Sequence, residues 1–368
     1  MEGLQYHSSV PEAQQSLYKQ NNVVDFLIDA DGRQLVKNSV RVEGTLTVYE
    51  TGTTRSANGG IYFDNKLGAH AFVESCAVTT QEQGVIENVA NYARLVGMVG
   101  TAQKSENDYL NSGEICELKS PHIIFSEQIC GGITTRNDTD PITDDFDFSF
   151  KPECALNRMS GDDLPFRKTG TIRLSLNLAR NIAALYGPKV VAGSSYQISD
   201  LTVCYYSVPD TGQGTKTQMQ TVVNIKSNIQ SQLANISAKV PAIANACSIS
   251  FQRQSCENQL QESNYENHNL VGVNEVTFMF NDSQNQYVTF ALESRQEMLN
   301  NYLSSLQSAG HNQANANKYK SNRGFGLGLS FGGYVDLRNQ KFNVQLSSGA
   351  SNQNVYNVYL YFHALATI

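Results

Sequence analysis

The chain has 368 residues, with 27 Lys and Arg against 34 Asp and Glu, a formal net charge of -7 and 40% hydrophobic residues. That is enough apolar material for two ordinary domains or one large one. The acidic balance and the lack of a basic stripe exclude a direct grip on nucleic acid, which needs clustered Lys and Arg to displace counterions from phosphates.

Charged residues are only 17% of the chain, while Asn, Gln, Ser and Thr are abundant. That profile suits strands joined by solvated loops, because amide and hydroxyl side chains satisfy turns without favouring a helix. Met1 to Gln5 show no apolar run behind a positive flank. Nowhere do about 18 apolar residues follow one another, so neither a signal peptide nor a transmembrane helix is expected and synthesis is expected in the cytosol. Residues 1–22 are polar and Gln-rich without a sustained period, and read as a flexible arm.

From Val40 the apolar residues alternate (Val40, Val42, Leu46, Val48), the period of a strand with one face buried. A polar loop through Gly59-Gly60 follows, then a strand over Phe72 to Thr80 and a turn at Gln81 to Gly84. Val89, Tyr92, Leu95, Val96 and Val99 then fall three or four apart, one face of a helix. The block reads strand, turn, apolar dipeptide, helix. A similar order recurs in the second half: a strand through Val276, Phe278 and Phe280, a turn at Asn281-Asp282-Ser283, and a strand over Tyr287 to Leu292. A helix follows that opens with Ser294 and Glu297 in capping-box spacing and carries Met298, Leu299, Tyr302, Leu303 and Leu306 on one side.

Both halves close on alternating strands. In the first these are Ile172, Leu174, Leu176 and Leu178, a loop at Gly187-Pro188, then Leu201, Val203 and Tyr205. In the second they are Phe325 to Phe331, then Phe342, Val344 and Leu346, then Tyr356 to Phe362. The turn-rich Pro209 to Gly214 is a natural joint, leaving each half about 150 to 170 residues, the size of an eight-stranded sandwich. The expected organisation is an arm at 1–22, a first sandwich at 23–210 and a second at 211–368, all-β with short helices in the loops. One stretch stays open: Val222, Ile225, Ile229, Leu233, Ile236 and Val240 fit a helical stripe, while Val223, Ile225 and Ile229 also alternate as a strand. Thr221 and Ser227 tilt it slightly toward strand.

No chemical constellation assembles in the sequence. Asp138, Asp140, Asp144, Asp145 and Asp147 could offer oxygen ligands to Ca²⁺, but a solvated loop explains the Asp138–Asp147 stretch as well. Asp29, Asp31 and Gly32 begin like a calcium loop, yet Val40 stands where the closing Glu would be, so a turn is the reading. Gly324, Gly326 and Gly328 lack the third glycine and the Lys-Ser/Thr pair of a phosphate loop; with Phe and Leu between them they read as a strand needing close packing. Cys76, Cys116, Cys130, Cys154, Cys204, Cys247 and Cys256 are odd in number and never paired as Cys-x-x-Cys, which points to free, buried thiols. His7, His70, His122, His268, His311 and His363 never take His-x-x-x-His spacing. Sequons at Asn137, Asn235 and Asn281 carry no weight in a cytosolic chain. No catalytic residue, cofactor or metal is assigned.

The run Gly272-Val-Asn-Glu-Val-Thr-Phe-Met-Phe-Asn-Asp-Ser, followed by a strand and a helix, resembles the second roll of double jelly-roll major capsid proteins, and so does the ending Val355-Tyr-Asn-Val-Tyr-Leu-Tyr-Phe-His-Ala-Leu-Ala. Leu164-Pro-Phe-Arg-Lys-Thr-Gly and Tyr196-Gln-Ile-Ser-Asp-Leu are similar to parts of the first roll. The resemblance is to coat proteins of Polinton-like viruses and related small double-stranded DNA viruses, and covers about Val40 to Ile368. It implies strands over Thr221 to Phe251 and modest surface loops. It also implies a homotrimer with six similar lobes that tiles an icosahedral shell and is found in the virion. Penton and minor capsid proteins are the implied partners, and a membrane or minor proteins could separate the shell from the DNA. The rival readings are a minor or vertex coat protein, a carbohydrate-binding β-sandwich, and an enzyme.

Overall fold

The computed structural model describes residues 3–55, 61, 63–64, 67–103, 128–129, 132–133, 145–187, 190–212, 216–230, 233–261, 263–265, 273–281, 284, 286–310, 326–348 and 355–368. The principal strands of the first half are β1 (Gln5–Ser9), β2 (Val23–Ile28), β3 (Arg41–Thr51), β4 (Val73–Thr80), β5 (Gly84–Val89), β6 (Phe146–Phe150), β7 (Ile172–Leu178) and β8 (Ser195–Pro209). Those of the second half are β9 (Thr217–Ile229), β10 (Leu233–Lys239), β11 (Ile243–Arg253), β12 (Val273–Asn281), β13 (Tyr287–Leu292), β14 (Leu327–Asp336), β15 (Lys341–Ser348) and β16 (Tyr356–Thr367). Helix α1 (Tyr92–Gln103) follows β5, and α2 (Arg295–Ser308) follows β13.

One topology is used twice. In the first half the strands neighbour in the orders β1-β8-β3-β6 and β2-β7-β4-β5; in the second they do so as β9-β16-β11-β14 and β10-β15-β12-β13. Numbered within each half, both orders are first-eighth-third-sixth and second-seventh-fourth-fifth, the two sheets of a jelly roll. The fold is therefore all-β, a double jelly roll.

Alternation explains most strands. In β7, Ile172, Leu174, Leu176 and Leu178 are buried while Arg173 and Asn177 face water. β16 is different: Tyr356 to Ala364 are all buried, because β9 and β11 flank it and both its faces are covered. Aromatic side chains fill the interiors. Phe63, Phe72, Phe148, Phe150 and Tyr196 cluster in the first roll, and Phe278, Phe280, Phe342 and Phe362 in the second.

The capping box forms as its spacing predicts: the Ser294 hydroxyl accepts from the Glu297 N–H at 3.2 Å, and the Glu297 carboxylate accepts from the Ser294 N–H at 3.1 Å. The glycine run is a packing surface for α2. A Cβ on Gly326 would lie 2.5 Å from the Tyr302 ring, and one on Gly328 would lie 2.2 Å from the Ser305 hydroxyl. Gly324 and Phe325 lie outside the described residues.

Three readings change or resolve. Gln5–Ser9, read as part of a flexible arm, is instead the first strand of the first roll, antiparallel to β8 from Gln5 opposite Ser207 to Ser9 opposite Val203. Tyr18, also in that stretch, is buried and bridged to Ile198. The period failed because every residue of β1 keeps some exposure, so pairing of the backbone, not burial of a face, holds it. The apolar dipeptide before α1, Val85-Ile86, belongs to strand β5, and so does Val89, read as the first residue of the helical face; the helix opens only at Tyr92. Of the open stretch, Val222 to Ile229 lies in β9 and Leu233 to Lys239 is β10; β9 pairs with β16 from Gln218 to Ile229.

Candidate assembly surface

The two rolls meet along β5 and β9, which run parallel and are bridged at Asn88 and Val223. A short strand, Met159–Gly161, pairs with Thr217–Met219 at the start of β9. One sheet is thereby continuous through both rolls.

Polar groups lock this seam. Glu87, on β5, is in phase with the buried Val89 and is itself buried. Its carboxylate accepts from the Val222 N–H at 2.6 Å, from the Ala155 N–H at 2.7 Å and from the guanidinium of Arg158. Burial pushes the Glu87 carboxyl above its ordinary value, against the pull of Arg158 and the two amides. Beside it, the Asn91 amide donates to Asn224 at 2.9 Å, and the Tyr361 hydroxyl donates to the Asn91 carbonyl at 3.2 Å. Arg94, at the start of α1, lies 4.6 Å over the Tyr359 ring and donates to the Asn264 carbonyl. At the other end of the joint, Asp210 accepts from Gln34 at 2.9 Å, from the Gly212 N–H at 2.9 Å and from Arg167 at 2.6 Å. These hydrogen bonds hold the Asp210 carboxyl below its ordinary value, that from Gln34 most of all.

Sequence reading missed Glu87, Arg158, Asn91 and Asn224. The signal was hidden because Val89 reads as the start of a helical stripe; only with Val89 in strand β5 does the carboxylate two residues before it point inward and need partners.

The other candidates that fall among the described residues make local contacts. Asp145 and Asp147 accept from the Thr47 and Thr45 hydroxyls at 2.7 and 2.8 Å. Asp138, Asp140 and Asp144 lie outside the described residues, as do Asn137, Cys116, Cys130, His122, His268 and His311. Among the described residues no group of three His, Cys, Asp or Glu side chains is placed to hold a metal. Asp29 to Gly32 form a turn, with the Arg33 N–H donating to the Ala30 carbonyl. Cys76, Cys154, Cys204 and Cys247 are free thiols, and these four and Cys256 are buried. Hydrogen bonding to Cys154 and burial push the Cys76 thiol well above its ordinary value, and burial does the same for Cys247, so neither offers a ready thiolate. His70 shares a hydrogen bond with the Tyr92 hydroxyl at 2.7 Å, and His363 with Ser248 at 3.0 Å, both pairs inside the core. Tyr205, Tyr206 and Tyr359 lie in β8 and β16, not on loops.

The outward strands are unequal. Four of the outer edges carry a charge that discourages further pairing: Asp25 on β2, Asp147 on β6, Lys239 on β10 and Asp336 on β14. Among the described residues, the other two principal edge strands, β1 (QYHSS) and β13 (YVTFAL), carry no Lys, Arg, Asp, Glu or Pro.

No protein-family model matches the sequence, and no curated protein does. Solved structures do match. The Faustovirus major capsid protein superposes with a TM-score of 0.68 at 7% identity, covering 100% of this chain and 90% of that one. The quasi-atomic model of the PBCV-1 virus capsid gives 0.63 at 11% identity, covering 99% and 94%. The mavirus major capsid protein gives 0.51 at 11% identity, covering 99% and 88%. With the same two-roll architecture spanning nearly the whole of each chain, the protein has the double jelly-roll fold of viral major capsid proteins.

Proposed function

We propose that this chain is a major capsid protein that assembles as a homotrimer, its six rolls giving a pseudo-hexagonal unit that tiles an icosahedral shell. The observation that carries the proposal is the repetition of one strand order in two rolls joined through a continuous sheet. Two similar lobes per chain give a threefold assembly six similar sides, so one gene product can sit among six neighbours. Residues 211–368 form the second roll, the joint lies near Pro209 to Gly214, and residues 23–210 with β1 form the first.

The work of such a protein is done by surfaces. Few charges and many amide and hydroxyl side chains suit wide, wet lateral contacts that are weak singly and strong together. A net charge of -7 disfavours contact with packaged DNA; a membrane or minor proteins would lie between, and penton and minor capsid proteins would close the shell. The chain performs no catalysis, is made in the host cytoplasm and ends in the virion.

The test is the solution mass by light scattering, with imaging of the same fraction. A species of three 40.5 kDa chains with a six-lobed outline supports the reading. A monomer or a pentamer sinks it.

A further inference from the structure

The chain contains one complete seam between rolls and the two unmatched halves of another. Within the chain, the fifth strand of the first roll (β5) lies parallel to the first strand of the second (β9). The counterparts are the fifth strand of the second roll, β13, and the first strand of the first, β1. Among the described residues neither has a strand on its outer side.

These same two are the principal edge strands without a charge or a proline, and they present apolar side chains to water. On β13, Tyr287 is 65% and Phe290 38% exposed. On β1, Tyr6 is 54% exposed; it stands edge-on to the exposed Tyr206 ring at 5.6 Å, with exposed Leu4 and Val10 at either end of the strand. An apolar edge strand left open to water is an aggregation hazard unless another chain covers it.

We propose that β13 of one copy docks in parallel beside β1 of a second copy, reproducing between chains the seam that β5 and β9 make within one. The proposal rests on the homotrimer reading and names its contact surfaces. The contact is heterologous, with a different surface on each partner, so copies join head to tail and close into a ring when the last β13 meets the first β1. Its chemistry differs from that of the internal seam. Counting back from the first residue of the following helix, Phe290 stands five residues before Arg295 as Glu87 stands five before Tyr92. An aromatic ring replaces the carboxylate latch, so the seam between copies lacks the buried ion pair of the internal one and should be little weakened by salt.

The test is cross-linking of the full chain carrying Ser8→Cys and Ala291→Cys, both at exposed positions, with a short bis-maleimide and in a Cys204→Ser background, because the Cys204 thiol lies 3.8 Å from the Ser8 hydroxyl. The Cys204→Ser chain alone sets the background from the other native thiols. The double variant is expected to give a covalent trimer and nothing larger, while each single variant stays at background. Phe290→Asp, with circular dichroism to verify the fold, is expected to weaken association at least tenfold, and 1 M salt to leave the wild-type assembly intact. A double variant that remains uncross-linked in a fraction shown to be trimeric overturns the edge assignment and leaves the homotrimer reading standing. A ladder beyond three chains overturns the closed ring, and cross-linking by either single variant overturns the head-to-tail contact. A wild-type monomer overturns this inference and the homotrimer reading together.

Discussion

The carboxylate of Glu87 in the first roll accepts the backbone N–H of Val222 in the second at 2.6 Å, across 135 positions of sequence. The same carboxylate holds Arg158 and the Ala155 N–H, so a single buried side chain ties a strand and a connection of the first roll to the opening strand of the second.

Removing that carboxylate should be severe. Glu87→Ala leaves a mostly buried guanidinium without its main partner and two amides unpaired, and should lower stability by about 3–5 kcal/mol. Glu87→Gln keeps an acceptor and the volume and should lose less. Urea unfolding at neutral pH measures both, and an alanine variant as stable as wild type would refute the latch.

The joint at Asp210 should respond to acid. Its carboxyl is held below the ordinary value in the folded chain, so its contribution is complete above the unfolded value of about 3.9 and is lost as the pH falls through the lower folded value. Asp210→Asn should therefore melt below wild type at pH 7, with the gap closing as the pH approaches 2. Melting curves across that range decide it; a gap independent of pH would contradict the assignment.

Gly328 leaves no room for a methyl group, with Ser305 Oγ 2.2 Å and the Cys247 carbonyl 3.0 Å from the Cβ position. Gly328→Ala should displace α2 and cost about 1–3 kcal/mol. Gly333→Ala, with nothing within 4 Å, should stay within about 0.5 kcal/mol of wild type. Thermal melts of the pair separate close packing from a general intolerance of substitution in β14.

Phe362 is fully buried in β16, perpendicular to Phe342 at 5.0 Å between ring centres. Phe362→Asp should yield no soluble folded protein, since an unpaired charge there has no solvent or partner. Soluble Phe362→Asp protein of native circular dichroism would contradict the placement of β16 in the core.

Deleting residues 1–9 should strip the outer edge of β8. Lost with it are the hydrogen bond from Tyr6 to Cys204 at 2.9 Å and the one between His7 and Ser207 at 2.7 Å. Hydrogen exchange should accelerate in Val203 to Ser207 while β16 keeps its protection. Unchanged exchange in β8 would mean that β1 adds nothing to the first roll.

By itself the sequence determined whatever is written in short-range period. Ile172 to Leu178 could only be a strand with one face buried, and Ser294 with Glu297 could only open a helix, because alternation and capping depend on residues a few positions apart. Tertiary structure decided the rest. β1 has no buried face to betray it and exists because β8 offers a backbone edge. The stretch from Val222 to Val240 satisfies two periods, and pairing of β9 with β16 selects the strand. Glu87 looks like any surface carboxylate until Val222, Ala155 and Arg158 arrive from distant parts of the chain to replace the water it gives up. The physical reason is common to all three: hydrophobic period records which side of a segment is dry, whereas strand partners and the satisfaction of a buried charge depend on groups that only the folded chain brings within hydrogen-bond reach.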